Sequence, residues 1–254
     1  MVHQVFDISK KRAFVTGSGS GIGLGIAEGF MEAGATVVLH SRTATALEEA
    51  ERLRQKGYAV EAVTGDLGDA AEAEAIFQKA LDLLDGQMDI LVNCAGAQHR
   101  AAAVEFPLDQ FDQVLSVNLR TVFLLSQLAA RNMIPRGYGK IINIASMQSF
   151  FGIPGTPAYA ASKGGIAQLT KALGNEWISK GINVNALAPG WIRTKMATAV
   201  LADQKRMSEI MPRIPAGRWG DPRDFRGPAI FLASAASDYL SGVILPVDGG
   251  YSTR

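Results

Sequence analysis

Tyr159 and Lys163, in the stretch Tyr159-Ala160-Ala161-Ser162-Lys163, are four residues apart, a spacing that stacks two side chains on one face of a helix. A phenol beside an ammonium is an acid–base device. The lysine charge favours phenolate, so the pair predicts a tyrosine pKa below its ordinary value of about 10 and proton transfer closer to neutral pH. Taken alone, this is also the spacing of an ordinary exposed helix pair. Its company changes the reading: a glycine-rich turn at Thr16-Gly17-Ser18-Gly19-Ser20-Gly21-Ile22-Gly23, then Asn93-Cys94-Ala95-Gly96, Asn118, and Ser146 thirteen residues before Tyr159. The turn follows apolar Ala13-Phe14-Val15 and opens a helical pattern, so its missing side chains would let backbone N–H groups and a helix N-terminus approach a pyrophosphate. No Gly-x-Ser-x-Gly register surrounds Ser18, Ser20 or Ser146, which removes the main support for a nucleophilic hydrolase.

The elements that must position these groups follow from periodicity. Short apolar, β-branched runs alternate with longer amphipathic ones, the pattern of βαβ units feeding a parallel sheet. Strands are predicted near Ala13–Thr16, Thr36–His40, Val60–Thr64, Ile90–Asn93, Lys140–Ile144, Asn183–Ala188 and Val243–Val247. Helices are predicted at Ala44–Lys56, Ala71–Asp85, Leu108–Asn132, Ala158–Ser179 and Pro222–Ala233. The expectation is a Rossmann-like, doubly wound α/β fold of seven parallel strands in a single domain over residues 1–254, with helices on both faces. The irregular stretch Gly190–Gly220, punctuated by Pro212 and Pro215, reads as a substrate lid. A length of 254 residues and 48% apolar content suit one core. A net charge of +1 argues against nucleic-acid or polybasic membrane binding. One cysteine excludes an intrachain disulfide, and His3, His40 and His99 have no zinc-site spacing, so metal-free chemistry is expected. The sequence shows no signal peptide and no run near the ~20 apolar residues of a membrane span, which points to the cytoplasm.

These motifs, in this order across nearly the whole chain, resemble the short-chain dehydrogenase/reductase family, whose glycine spacing is the Gly-x-x-x-Gly-x-Gly found here at Gly17, Gly21 and Gly23. The resemblance implies a nicotinamide-dependent oxidoreductase with a catalytic tetrad of Asn118, Ser146, Tyr159 and Lys163. Tyr159 would pass a proton to or from the substrate oxygen, and Ser146 would hydrogen-bond that oxygen. Lys163 would lower the Tyr159 pKa and hold the cofactor ribose, and Asn118 would anchor a water linking Lys163 to solvent. An amide capping a helix irregularity is the other reading of Asn118. The implied cofactor contacts are Gly17, Ser18, Ser20, Gly21, Ile22, Gly23, Ser41, Arg42, Asp66, Leu67, Asn93, Ala95, Gly96, Ile144, Tyr159, Lys163, Pro189, Gly190, Ile192 and Thr194. Asp66 would meet the adenine, and Asn93, Ala95 and Gly96 would line the adenosine ribose. Cys94 departs from the commoner Asn-Asn-Ala-Gly form and is expected to be structural rather than reactive.

His40-Ser41-Arg42 stands after the second strand, where NAD-binding members place an acid. A guanidinium in place of a carboxylate tilts the cofactor towards NADP, with NAD left open, and Ser18 could add a hydroxyl to the 2′-phosphate. For substrate, Ser146-Met147-Gln148-Ser149, the stretch Ile214–Pro222 and the stretch Ala233–Tyr239 resemble the branch holding gluconate 5-dehydrogenases and 2-deoxy-D-gluconate 3-dehydrogenases. That branch implies a keto or hydroxy sugar acid. Arg100, on the crevice side of the sheet, could clamp its carboxylate, while Gln148 and Trp191 read as hydroxyl and ring-face contacts. Reduction of a 3-oxoacyl thioester or another ketone stays open, as does a silent NADP-binding scaffold. Two helical patterns with broad apolar faces, together with the apolar end Val243–Tyr251, imply by resemblance a homotetramer.

Overall fold

In the computed structural model, which describes residues 2–253, successive residues of each strand feed two separate cores. Ala13 and Val15 of β1 (Arg12–Val15) pack in one apolar cluster and Phe14 in the other. Val37 and Leu39 of β2 (Thr36–Ser41) oppose Val38 in the same way. Burial on both sides is what makes these runs continuously apolar rather than alternating. With β3 (Val60–Thr64), β4 (Ile90–Asn93), β5 (Gly139–Ile144), β6 (Ile182–Pro189) and β7 (Ile244–Val247), the sheet has seven strands in the order β3-β2-β1-β4-β5-β6-β7. Every pair is parallel. Strand order reverses between β1 and β4, which opens a crevice at their carboxyl ends.

After a short α1 (Val2–Val5), α2 (Gly21–Glu32) and α3 (Thr45–Arg54) cover the first core, contributing Ile26, Phe30, Ala50 and Leu53. The second core takes Ile76 and Phe77 from α4 (Ala70–Leu83). The predicted continuous helix over Leu108–Asn132 is corrected, because α5 (Leu108–Leu115) and α6 (Thr121–Met133) are separated by a π turn at Ser116–Arg120. The wider turn carries Asn118, whose amide exchanges two hydrogen bonds with the Ala97 backbone: Oδ1 accepts at 2.7 Å and Nδ2 donates at 2.9 Å. An inserted residue of this kind recurs at functional positions. α7 (Pro157–Trp177) sends Leu173 and Trp177 into the second core.

The segment 190–220 contains α8 (Thr198–Leu201) and α9 (Gln204–Ile210), and its Val200, Ile210 and Ile214 join Trp219, Tyr251 and Met147 in a small separate cluster. The predicted last helix begins as a 3-10 turn, Pro222–Phe225, closed by a capping box between Asp221 and Asp224, and continues as α10 (Arg226–Ala233) over the first core. Among the described residues, no helix is long and apolar enough to cross a membrane.

Candidate active site

One end of the crevice is built by the glycine turn between β1 and α2. Gly17 has φ +65, and a Cβ there would sit 2.7 Å from Ala95 Cα, so the turn lies against the end of β4 as only glycine allows. Thr16 secures that contact by accepting the N–H groups of Cys94 and Ala95 at 3.0 and 3.1 Å. His40 secures the other side. Its Nδ1 accepts the Gly17 N–H at 3.2 Å, and its Nε2 lies 3.1 Å from the Gly65 carbonyl oxygen. A carbonyl only accepts, so the hydrogen is on Nε2. Burial pushes the His40 pKa down to about 4, which keeps this neutral tautomer. Sequence reading missed Thr16 and His40 as supports, because their roles depend on strand ends that meet only in the folded sheet.

At the other end, Ser146 follows β5, and Tyr159 and Lys163 project from α7 into the same cleft. The predicted depression of the tyrosine pKa is corrected. Burial pushes the Tyr159 phenol up to about 12, against the opposing pull of a Ser146 hydrogen bond and the Arg100 charge. Desolvation outweighs neighbouring charge here. Lys163 is also buried, which draws it down to about 8, and its Nζ donates to the Ile144 carbonyl at 2.6 Å. Its ammonium lies 5.6 Å from the Tyr159 ring centre. Asn118 is wholly buried and makes no hydrogen bond to Lys163. Its Nδ2 also donates to Ser162 Oγ at 3.1 Å, tying the β4 loop to α7. None of these bonds goes to the backbone of the π turn itself. Burial pushes the Cys94 thiol up to about 12, so it stays protonated and unreactive at neutral pH. Among the described residues, no group of three or more His, Cys, Asp or Glu could hold a metal ion.

The cleft between these ends has a volume of about 370 Å³. It gathers Gly17, Ser20, Gly21, Ile22, Gly23, Ala95, Gly96, Ile144, Pro189, Gly190, Ile192 and Thr194 with Ser146, Tyr159 and Lys163, and also Arg100, Gln148 and Trp191. Gln98, Met147, Ile153, Lys195 and Met196 line it too and were not anticipated; Met147 and Lys195 adjoin residues that were.

Several predicted contacts lie off its wall. The Ser18 hydroxyl donates to the Val15 carbonyl at 2.6 Å and accepts the His40 N–H at 3.0 Å, wholly buried, so it does not reach a 2′-phosphate. Asn93 turns into the sheet, donating to Asn143 and Ser126, so its side chain does not line a ribose site. The Ser41 hydroxyl is engaged at the start of α3, donating to the Thr43 carbonyl and accepting the Ala46 N–H. Leu67 is buried, and the Asp66 carboxylate accepts the Gly68 N–H. Arg42 is exposed and has no hydrogen bond or ion pair among the described residues.

A glycine cradle at the switch point of a doubly wound sheet, leading to buried Ser146 and Lys163 and half-buried Tyr159, defines a Rossmann-like oxidoreductase site. The cradle fits a dinucleotide, for side chains on Gly17 and Gly23 would clash with the neighbouring backbone: a Cβ on Gly23 would lie 2.5 Å from the Gly17 carbonyl oxygen. The chain belongs to the short-chain dehydrogenase/reductase family; a family model described as enoyl-(acyl carrier protein) reductase matches residues 17–252. It is 48% identical over 254 residues to 2-dehydro-3-deoxy-D-gluconate 5-dehydrogenase of Bacillus subtilis (strain 168), covering 100% of this chain and 99% of that one. It is 40% identical over 250 residues to gluconate 5-dehydrogenase of Gluconobacter oxydans (strain 621H), covering 97% and 96%. A crystal structure of a gluconate 5-dehydrogenase from Burkholderia cenocepacia J2315, in complex with NADP and tartrate, superposes with a TM-score of 0.95 at 42% identity over all of both chains.

Proposed function

We propose that the protein is an NADP(H)-dependent oxidoreductase that interconverts a keto sugar acid and the corresponding hydroxy acid. The observation that carries the sugar-acid reading is Arg100. Its guanidinium lines the cleft, has no partner among the described residues, and acts electrostatically on the Tyr159 phenol. An unpaired guanidinium near the reacting oxygen suits a substrate with a carboxylate on the same small molecule. The activities named for the Bacillus and Gluconobacter relatives, and the NADP and tartrate of the Burkholderia structure, support the same class.

When bound, NADPH supplies the hydride. Tyr159, a phenol protonated at neutral pH, gives its proton to the substrate oxygen in the reducing direction and takes one back in oxidation. Ser146 hydrogen-bonds the same oxygen and steadies the charge developing there. Lys163 would hold the ribose, the backbone from Gly17 to Gly23 the pyrophosphate, and Arg42 the 2′-phosphate. Segment 190–220, with Trp191, Ile192 and Thr194 on the cleft wall, acts as the lid. We assign the protein to the cytoplasm as a homotetramer, supported by exposed Val104, Leu108 and Phe123 on and beside α5 and α6. The function is tested by following NADPH and NADH oxidation with 5-keto-D-gluconate, a 3-oxoacyl thioester and a hydrophobic ketone. NADPH with the sugar acid is the expected productive pair, and turnover confined to the thioester or ketone would refute the reading.

A further inference from the structure

Gln148 sits on the 3-10 turn Met147–Ser149, two residues after Ser146, and lines the cleft with only 8% of its surface exposed. Its backbone N–H donates to the Ser146 hydroxyl at 3.1 Å, which fixes its place beside the reacting oxygen's binding group. Behind it stands Thr156, wholly buried just before α7, with Oγ1 3.0 Å from the Oε1 position of the Gln148 carboxamide. The same Oγ1 lies 2.9 Å from the Ile153 carbonyl oxygen.

These two distances conflict if the amide oxygen faces Thr156. A threonine hydroxyl has one hydrogen, and a backbone carbonyl and an amide oxygen are both acceptors only. One hydrogen would face two acceptors, and one short oxygen–oxygen contact would have no hydrogen in it. Turning the carboxamide about its last bond leaves the shape of the side chain nearly unchanged and removes the conflict. Thr156 then donates to Ile153, and Gln148 Nε2 donates to Thr156 Oγ1. Each contact gains a hydrogen, and no buried hydroxyl is left short.

We infer that Thr156 holds Gln148 with its amide oxygen towards the cleft, where it accepts a hydrogen bond from a substrate hydroxyl next to the carbon addressed by Ser146 and Tyr159. Thr156 is a positioning residue, and Gln148 is the specificity residue it orients. This rests on the sugar-acid reading and deepens it, for it requires a vicinal hydroxy ketone rather than an isolated ketone. Met147, next to Gln148 on this turn, and Ile153 also line the cleft, and both are apolar. A substrate lacking the hydroxyl would leave that oxygen desolvated and unpaired, a penalty of about ten- to a hundredfold in kcat/KM.

The test compares 5-keto-D-gluconate with its 4-deoxy and 6-deoxy forms, each reduced with NADPH. The unmodified enzyme should disfavour one deoxy form about ten- to a hundredfold, and Gln148→Leu should abolish that preference by losing rate only on the two substrates that keep the recognised hydroxyl. Thr156→Val should raise KM for 5-keto-D-gluconate more than it lowers kcat, and Thr156→Ser should restore it. Equal losses by Gln148→Leu on all three substrates would overturn the inference. Neutron diffraction from the deuterated protein reads the amide without reference to turnover. Deuterium on the atom facing Thr156 is expected, and oxygen there overturns the inference. If 5-keto-D-gluconate were not reduced at all, the sugar-acid reading would fall while the neutron result still decided the orientation of Gln148.

Discussion

His40 makes the glycine turn sensitive to acid, and the size of the effect follows from its burial. Its side chain takes the Gly17 N–H on Nδ1 and gives its own hydrogen to Gly65, so a second proton would put two donors face to face at Gly17. Burial lowers the folded-state pKa from 6.5 to about 4, with the Gly65 hydrogen bond and the charges of Asp66 and Glu72 pulling more weakly upwards. The unfolded chain binds this proton below about pH 6.5 and the folded one only near pH 4, so between those values the unfolded state holds more protons. Stability therefore falls as pH drops through that window. At about 1.4 kcal/mol per pKa unit, the cost is about 2 kcal/mol by pH 5 and about 3 kcal/mol near pH 4, a large share of a typical domain's 5–15 kcal/mol. Urea unfolding at fixed protein concentration, run from pH 7.5 to 4.5, should show the unmodified protein losing this amount more than His40→Gln, which keeps a donor and an acceptor but does not titrate. Asp224, held at about 2 chiefly by its Arg218 hydrogen bond, titrates below the window, and carboxylates common to both proteins cancel in the difference. NADPH affinity should show no dependence on His40 between pH 7.5 and 5, because the folded protein keeps this imidazole neutral until about pH 4. Superimposable stability profiles for the two proteins would refute the assigned tautomer and its cost.

Other consequences can be checked by standard assays. Tyr159→Phe should cut turnover by about 10²- to 10⁴-fold while NADPH affinity, read by fluorescence titration, stays within a fewfold; near-normal turnover would exclude it as the proton carrier. Because only an ionised phenol accepts a proton, gluconate oxidation should quicken as pH rises from 7 to 10, and a flat profile would count against Tyr159 as the base. Arg42→Ala should weaken NADPH binding about ten- to a hundredfold and spare NADH, whereas equal affinities for both cofactors in the unmodified protein would end that assignment. Light scattering should report a tetramer; an active monomer at micromolar concentration would refute the proposed assembly.

Sequence periodicity was enough for the sheet because each strand is buried on two sides, and an apolar run such as Val37-Val38-Leu39 admits few other places in a fold of this length. The cleft was legible for a related reason: glycines and the Tyr–Lys pair act through spacing along one element. What stayed hidden depends on which face of the sheet or turn a polar side chain takes. Asn93 ends β4 beside Cys94, yet Asn93 enters the sheet to meet Asn143 and Cys94 looks into the cleft, a choice set by strand register alone. Ser18 was read as a phosphate ligand and Ser41 as a cofactor contact, but both hydroxyls serve the backbone, holding the turn to β2 and starting α3. The Tyr159 pKa was misjudged because charge is visible in a sequence and desolvation is not. The supporting residues Thr16, His40, Ser162 and Thr156 have the same property: each satisfies backbone or amide groups brought close by folding, and each leaves a more visible neighbour free to face the ligand. Chemistry in this cleft thus rests on neutral hydrogen-bonding side chains that carry no motif, and substitutions at those positions should change specificity and acid stability before they change the fold.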